Sequence, residues 1–177
     1  MGWTGMQKPV NVKAYLDKEF TWSSSQNKCE VLRSAIVNIR EYYAAVECHD
    51  INGKRTVVCA VVLLDYRRGE RETFFYKVMD ETAGPNQVRC PEAILKLLTS
   101  PEGEWSTDWR EKCRSYHAQR KMVSAWPYGQ LIKFPHSPEH YRKIDYQYSK
   151  QKNIFRNEIT GRLSRFRQDQ LMTAQAI

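Results

Sequence analysis

Two apolar runs in the middle of the chain predict a central β-hairpin. Residues 56–64 carry no charge and are rich in β-branched valine, which is typical of a strand covered on both faces. Residues 73–79 alternate instead, with Phe74, Tyr76 and Val78 on one side. The turn-like residues 67–70 separate the runs, and Gly69 supplies the positive φ that a tight reversal needs.

Two further segments extend this hairpin into a sheet. Residues 42–49 have a strand composition, and Asn52-Gly53 follows them as a strong signal for a two-residue hairpin turn. We therefore predict that residues 42–49 and 55–65 pair antiparallel. Residues 29–39 fit both a helix face and a strand, and we expect residues 29–37 to add a fourth strand.

Helical periodicity appears before and after the predicted sheet. Val10–Glu19 has apolar residues at helical spacing. A short helix through residues 94–98 is predicted to have Cys90 at its N-cap and Pro91 at its first position. A longer helix, residues 106–122, carries a stripe made of Trp105, Trp109, Cys113, Tyr116 and Arg120. The last two helices should cover one face of the sheet, so residues 1–125 form an α+β body that is mostly antiparallel.

The composition changes after Trp126, where Pro127 and Gly129 would end a helix. Short strands are predicted at residues 130–134, 154–157 and 162–166, the last two joined by a turn at Thr160-Gly161. Residues 126–177 therefore form a small basic β-rich extension. An SH3-like barrel and an arm on the main sheet both fit this pattern. Residues 171–177 have no pattern, which is typical of a disordered end.

The positive charge is concentrated in the same part of the chain. The formal net charge is +8, yet residues 112–177 hold 13 Lys/Arg against 4 Asp/Glu, while residues 1–111 are close to neutral. A basic segment on a neutral body favours a polyanionic partner, which is a nucleic acid, a nucleoprotein complex or an acidic protein surface. The alternative is a solvated surface that only improves solubility.

The basic residues of the extension alternate with aromatic residues. In a strand, Arg165 and Arg167 share one face with Phe166 opposite, and Arg156 opposes Phe155 in the same way. We expect Phe155 and Phe166 to pack in a core, which leaves a basic face for binding. The predicted binding residues are Arg142, Lys143, Lys150, Lys152, Arg156, Arg162, Arg165 and Arg167. Cations would contact phosphates there, and tyrosine rings could stack on unpaired bases.

Cysteine usage and hydropathy indicate the compartment. Five cysteines are an odd number without a CxxC pair, which favours a reducing environment over a disulfide framework or a zinc ribbon. No apolar run approaches the length of a transmembrane helix, and the N-terminus lacks the apolar core of a signal peptide. We predict a cytoplasmic protein that has no membrane partner, metal site or cofactor.

Catalytic signals are weak. Cys90 at a helix N-terminus could have a lowered thiol pKa and act as a nucleophile. The pair Asp80 and Glu81 could hold a divalent cation or serve as acid and base, but no third ligand lies at a recognisable spacing. The sequence contains no Walker A loop, dinucleotide glycine fingerprint, nucleophile elbow or metalloprotease helix.

Several short motifs occur in a specific order over about residues 1–134. They are Met1-Gly-Trp-Thr4, Thr21-Trp22, Leu32-x-Ser34-Ala35, Tyr42-Tyr-Ala-Ala-Val46, Tyr76-Lys-x-Met-Asp-Glu81, Gly84-Pro85, Cys90-Pro91, Ile94-Leu95-x-Leu97-Leu98 and Trp109-Arg-x-x-Cys113-Arg114. With these motifs the chain resembles an uncharacterised bacterial family, a domain of unknown function found on genomes, plasmids and integrated elements. This resemblance implies a mobile-element or phage setting, where a protein acts on DNA or blocks a host defence complex.

These observations together favour a non-enzymatic binding protein that uses its C-terminal basic face on a nucleic acid or a nucleoprotein complex. One alternative is a phage or plasmid counter-defence inhibitor that docks on a host protein. The other is an enzyme that uses Cys90 or the Asp80–Glu81 pair.

Overall fold

The computed structural model of the chain describes residues 11–66, 72–78 and 87–177, with side chains for residues 11–64 and 87–177. The chain divides into two compact units, Met1–Arg114 and Ser115–Ile177. The second unit begins inside a helix, whereas the sequence places the start of the extension at residue 126. Within the described residues, no helix is long and apolar enough to cross a membrane.

The first unit is built on a five-stranded antiparallel sheet in the order β1-β2-β3-β4-β5. Its strands are β1 (Trp22–Ser23), β2 (Lys28–Val37), β3 (Glu41–His49), β4 (Arg55–Tyr66) and β5 (Glu72–Val78). The predicted hairpin between β3 and β4 is confirmed, and Gly53 has a φ of 74° in its turn. Residues 28–37 are a strand, as expected. The predicted turn at residues 67–70 and the facing of the β5 side chains lie outside the described part.

Both faces of this sheet are covered, because alternate side chains of β3 enter separate cores. On one face, Tyr42 and Ala44 pack with Leu16 of α1 (Val12–Glu19). On the other face, Tyr43 and Ala45 pack with α2 (Glu92–Leu95) and the first half of α3 (Glu104–Ser124). The two-sided cover predicted for residues 56–64 is therefore confirmed, and so is the placement of α2 and α3 on one face.

Two predictions about these helices are wrong. The first is the cap of α2, which is a single turn with Pro91 as its N-cap, so Cys90 precedes the cap. The second is Trp105, which is 69% exposed. The buried stripe of α3 instead starts at Ser106 and continues through Trp109, Arg110 and Cys113. That spacing of i, i+3, i+4 and i+7 is one face of a helix, and Trp105 lies beside it.

The second unit contains another five-stranded antiparallel sheet, separate from the first, in the order β10-β6-β7-β8-β9. Its strands are β6 (Leu131–Lys133), β7 (His140–Gln147), β8 (Lys152–Asn157), β9 (Leu163–Phe166) and β10 (Gln175–Ala176). The α+β class is thus confirmed, and the separate sheet excludes the arm on the main sheet. The SH3-like arrangement stays a prediction.

Residues 168–177 form a short helix and a short strand. After α4 (Gln168–Leu171), strand β10 pairs with β6, and Leu171 and Ala174 are buried. The prediction of a disordered end at residues 171–177 is therefore wrong. The sequence misses this segment because each of its elements is only two to four residues long, too short to show a period.

Candidate nucleic-acid interface

The second sheet has one packing face and one exposed face. Its packing face contributes Ile132 and Phe155 to a core with Val123, Trp126 and Leu171, and Phe166 packs against that core. Phe155 is fully buried, and its ring centroid lies 5.6 Å from that of Phe166. Phe155 is therefore a core residue, as expected, and is not available to stack on a base.

The exposed face follows from the strand register. Arg142, Arg156 and Leu163 form one cross-strand row, because Arg142 pairs with Arg156 and Arg156 pairs with Leu163. Asp145, Ile154 and Arg165 form the next row, with Ile154 between the two charged residues, and Lys152 lies opposite Gln147 beyond it. Residues directly opposite each other in a sheet share a face. Four of the eight predicted basic residues, Arg142, Lys152, Arg156 and Arg165, therefore lie on one surface.

Lys143 does not lie on this surface. It pairs with Phe155 on the packing face and is only 7% exposed. Its ammonium group donates a hydrogen bond of 2.6 Å to the carbonyl oxygen of Trp126 and lies 5.7 Å from the centroid of the Tyr128 ring. Burial lowers the pKa of the Lys143 ammonium group. We assign Lys143 to the internal structure of the unit and remove it from the predicted interface.

A carboxylate partly neutralises the row that contains Arg142 and Arg156. The Arg142 guanidinium donates to Glu158 at 2.8 Å and 3.1 Å and to the carbonyl oxygen of Gly129 at 3.1 Å. The Arg156 Nε atom lies 3.8 Å from the same carboxylate. The hydrogen bond between Arg142 and Glu158 raises the arginine pKa and lowers the glutamate pKa. This carboxylate competes with any phosphate for both arginines.

The opposite end of the sheet has cations without such partners. Asn153 pairs with Phe166, so Lys152 and Arg167, the next residue of each segment, lie toward the same end of the sheet. Lys150 belongs to the 3₁₀ turn Tyr148–Lys150 that joins β7 to β8 at this end, and Arg165 lies one row in. We call Lys150, Lys152, Arg165 and Arg167 the basic end. Among residues with described side chains, none of these four cations has an ion-pair partner.

Arg162, the remaining predicted residue, lies apart from the basic end. It is exposed and follows the turn between β8 and β9, where Gly161 has a φ of 69°. Its carbonyl oxygen accepts from the backbone N–H of Asn157, across the neck of that turn. Charge patterning identified all of these residues. However, charge patterning could not show that Arg162 lies apart from the basic end or that Glu158 holds Arg142 and Arg156. Both facts depend on the strand register and on the position of Glu158.

Two exposed tyrosines accompany the basic end. Tyr148 is 80% exposed and stands in the turn that carries Lys150. Tyr128 is 62% exposed and precedes Gly129, whose N–H donates to the Lys143 carbonyl. Because β6 and β7 are antiparallel, residues before Leu131 and residues after Gln147 lie toward the same end of the sheet. The sequence offered no signal for Tyr128, since it belongs to the segment that was interpreted as a boundary.

The structure gives no support to catalysis by Cys90, Asp80 or Glu81. Asp80 and Glu81 lie outside the described residues. Cys90 is fully buried, and its sulfur lies 3.8 Å from that of Cys59. Burial raises the pKa of the Cys90 thiol, and the neighbouring Cys59 raises it further. A buried thiol with a raised pKa is a poor nucleophile, which is opposite to the activation expected at a helix N-terminus.

This difference predicts the reactivity of the thiols. When the folded protein is treated with iodoacetamide near neutral pH, we expect Cys90 to stay unmodified until urea unfolds the chain. Cys48, which is half-buried, should be the first cysteine alkylated, although burial raises its pKa to about 12. Peptide mass spectrometry measures both rates. Rapid alkylation of Cys90 in the folded protein would contradict this expectation and favour an enzyme that uses Cys90 as a nucleophile.

No metal centre appears within the described ranges, where no group of three or more His, Cys, Asp or Glu side chains could hold an ion. Comparison with protein-family models, curated proteins and solved structures finds no match to this chain.

Proposed function

We propose that this chain is a non-enzymatic binding protein that holds the phosphate backbone of a nucleic acid at its basic end. The observation that carries the proposal is that Lys152 and Arg165 lie on one exposed face, with Lys150 in the adjoining turn and Arg167 directly after β9. None of these four cations has an ion-pair partner among the described side chains. Cations that are already paired gain little from a phosphate, whereas unpaired cations release the counterions condensed on the polyanion when they bind it.

Recognition would depend on the backbone more than on the bases. Lysine and arginine side chains on a twisted sheet can each reach a phosphate oxygen, and such contacts carry little sequence information. Arg156 and Arg142 would contribute less, because Glu158 holds them. The sheet itself provides rigidity, since the strands beneath the cations are fixed by Phe155 and Phe166. The basic end therefore has the charge and the rigid support that a phosphate-binding surface needs.

Affinity measured across a salt series tests this proposal. With three or four phosphates engaged, log K should fall with log salt with a slope of about −2 to −4. Fluorescence anisotropy with labelled single-stranded and duplex oligonucleotides, both DNA and RNA, measures the slope. Circular dichroism at each salt concentration confirms that the protein remains folded. If the folded protein binds none of these probes at low salt, the proposal is wrong.

A second candidate is docking on an acidic surface of a host protein, as a counter-defence inhibitor would do. Leu163, which is 55% exposed, is the observation that favours it, because it lies beside Arg156 in the same row. An exposed apolar side chain next to arginine is typical of protein interfaces. Leu163→Asp should disrupt such docking while leaving phosphate contacts at the basic end in place. This variant separates the two candidates when a host partner is supplied.

A further inference from the structure

We propose that the basic end takes single-stranded nucleic acid, and that the ring of Tyr148 is the platform on which an unpaired base stacks. This inference rests on the proposed function and adds the substrate class to it. Phosphate contacts alone do not distinguish a single strand from a duplex, so the argument depends on the aromatic side chains beside the cations.

Tyr148 is an unusually exposed aromatic residue with a fixed position. It is 80% exposed, although burying such a ring would normally be favourable. Its centroid lies 4.9 Å from that of Tyr146, and the two rings meet edge to face at 86°. Tyr146 is half-buried and pairs with Asn153 on the packing side of the sheet. Tyr146 therefore supports the exposed ring of Tyr148. This contact restricts the motion of the ring and lowers the entropic cost of stacking on a base.

Two lysines lie close to Tyr148 in the chain. Lys150 is two residues further along the same turn, and Lys152 begins the next strand. A base that stacks on Tyr148 would leave its phosphates close to these ammonium groups. Tyr128 is a second exposed ring, but the cation beside it is the buried Lys143, so the inference depends on Tyr148 alone. Aromatic rings interleaved with cations are the usual construction of surfaces that bind single strands.

The chemistry selects a single strand because bases within a duplex are already stacked on one another. An aromatic side chain can reach a base face only where the base is unpaired, and every base offers such a face, so stacking tolerates any sequence. The same contact is available from DNA and RNA. Oligothymidylate and oligouridylate probes therefore distinguish these two sources of one ligand chemistry.

The test compares Tyr148→Ala with Tyr148→Phe, which keeps the stacking face and loses only the hydroxyl. The probes are labelled oligothymidylate and oligouridylate of about 16 nucleotides and a mixed-sequence duplex of similar length. Tyr148→Ala should weaken binding to a single strand about tenfold and change binding to the duplex by less than about twofold. Tyr148→Phe should bind both classes of probe as the unsubstituted protein does.

Ile159→Ala serves as the matched control, since Ile159 is 73% exposed and lies in the turn at the other end of the same sheet. It should change neither affinity. If Tyr148→Ala leaves single-strand binding intact, or weakens single-strand and duplex binding equally, the stacking inference is overturned while phosphate binding stands. If the unsubstituted protein binds no probe, the proposed function fails and this inference fails with it.

Discussion

Replacing Lys152, Arg165 and Arg167 with glutamate is expected to weaken nucleic-acid binding by at least about a hundredfold at moderate salt. Each substitution would remove one proposed phosphate contact and place a repelling carboxylate at the basic end. The slope of log K against log salt should become shallower by about 2 to 3, which is the share of those three contacts. Anisotropy titrations across a salt series measure both effects.

The control is a triple variant with the same change in net charge in the first unit. Lys18, Lys54 and Lys96 are exposed there and have no ion-pair partner among the described side chains. Their replacement by glutamate should reduce affinity only a few-fold, because general attraction is screened within about 10 Å at ordinary salt. If both triple variants lose binding equally, net charge rather than the basic end accounts for it, and the proposed interface is wrong.

The second large effect is expected for Phe155→Ala, which should destabilise the second unit by about 3–5 kcal/mol. Phe155 is fully buried and packs with Ile132, Trp126 and Leu171 in the core of that unit. A unit of this size, Ser115–Ile177, typically has a free energy of unfolding of about 3–9 kcal/mol. The substitution should therefore remove at least about a third of its stability. Urea unfolding, combined with hydrogen exchange of residues 115–177, measures the loss.

Phe155→Ala also separates two roles of an aromatic residue in a basic strand. A core residue should lose stability and lose binding only where the unit unfolds, whereas a base-stacking residue would lose binding with stability unchanged. Leu163→Ala is the control, since its exposed side chain should change stability by less than about 0.5 kcal/mol. A stable Phe155→Ala protein with weakened single-strand binding would contradict the core assignment.

The strands of the first unit are easier to predict from the sequence than the strands of the second unit, for a physical reason. Strands β3 and β4 are long, apolar and joined by Asn52-Gly53, so composition, length and turn chemistry all agree. In the second unit, strand β7 carries Arg142, Lys143 and Asp145, and its pairing with β8 shifts register between Lys143 and Asp145. A bulge of this kind breaks the alternation from which a strand is recognised. No part of β7 was therefore predicted as a strand.

The sequence predicted a basic face in the second unit, but it did not show which cations of that face are already paired. The excess of Lys and Arg after residue 112 indicated a polyanion partner, and the opposition of Phe155 and Arg156 separated a packing face from a basic face. No local pattern shows that Lys143 donates to a buried carbonyl oxygen. Nor does it show that Glu158 reaches both Arg142 and Arg156. Both facts depend on contacts between residues that are two to seventeen positions apart in the chain.

By itself, the sequence determined the α+β class, the antiparallel pairing of β3 and β4, and the location of the positive charge in the second unit. These features follow from local chemistry, namely hydrophobic period, turn residues and net charge, which act over a few residues. Only the tertiary structure decided which cations have no ion-pair partner among the described side chains, and that Lys152 and Arg165 share one face of a sheet. That grouping follows from strand register and burial, which are set by the packing of the whole unit.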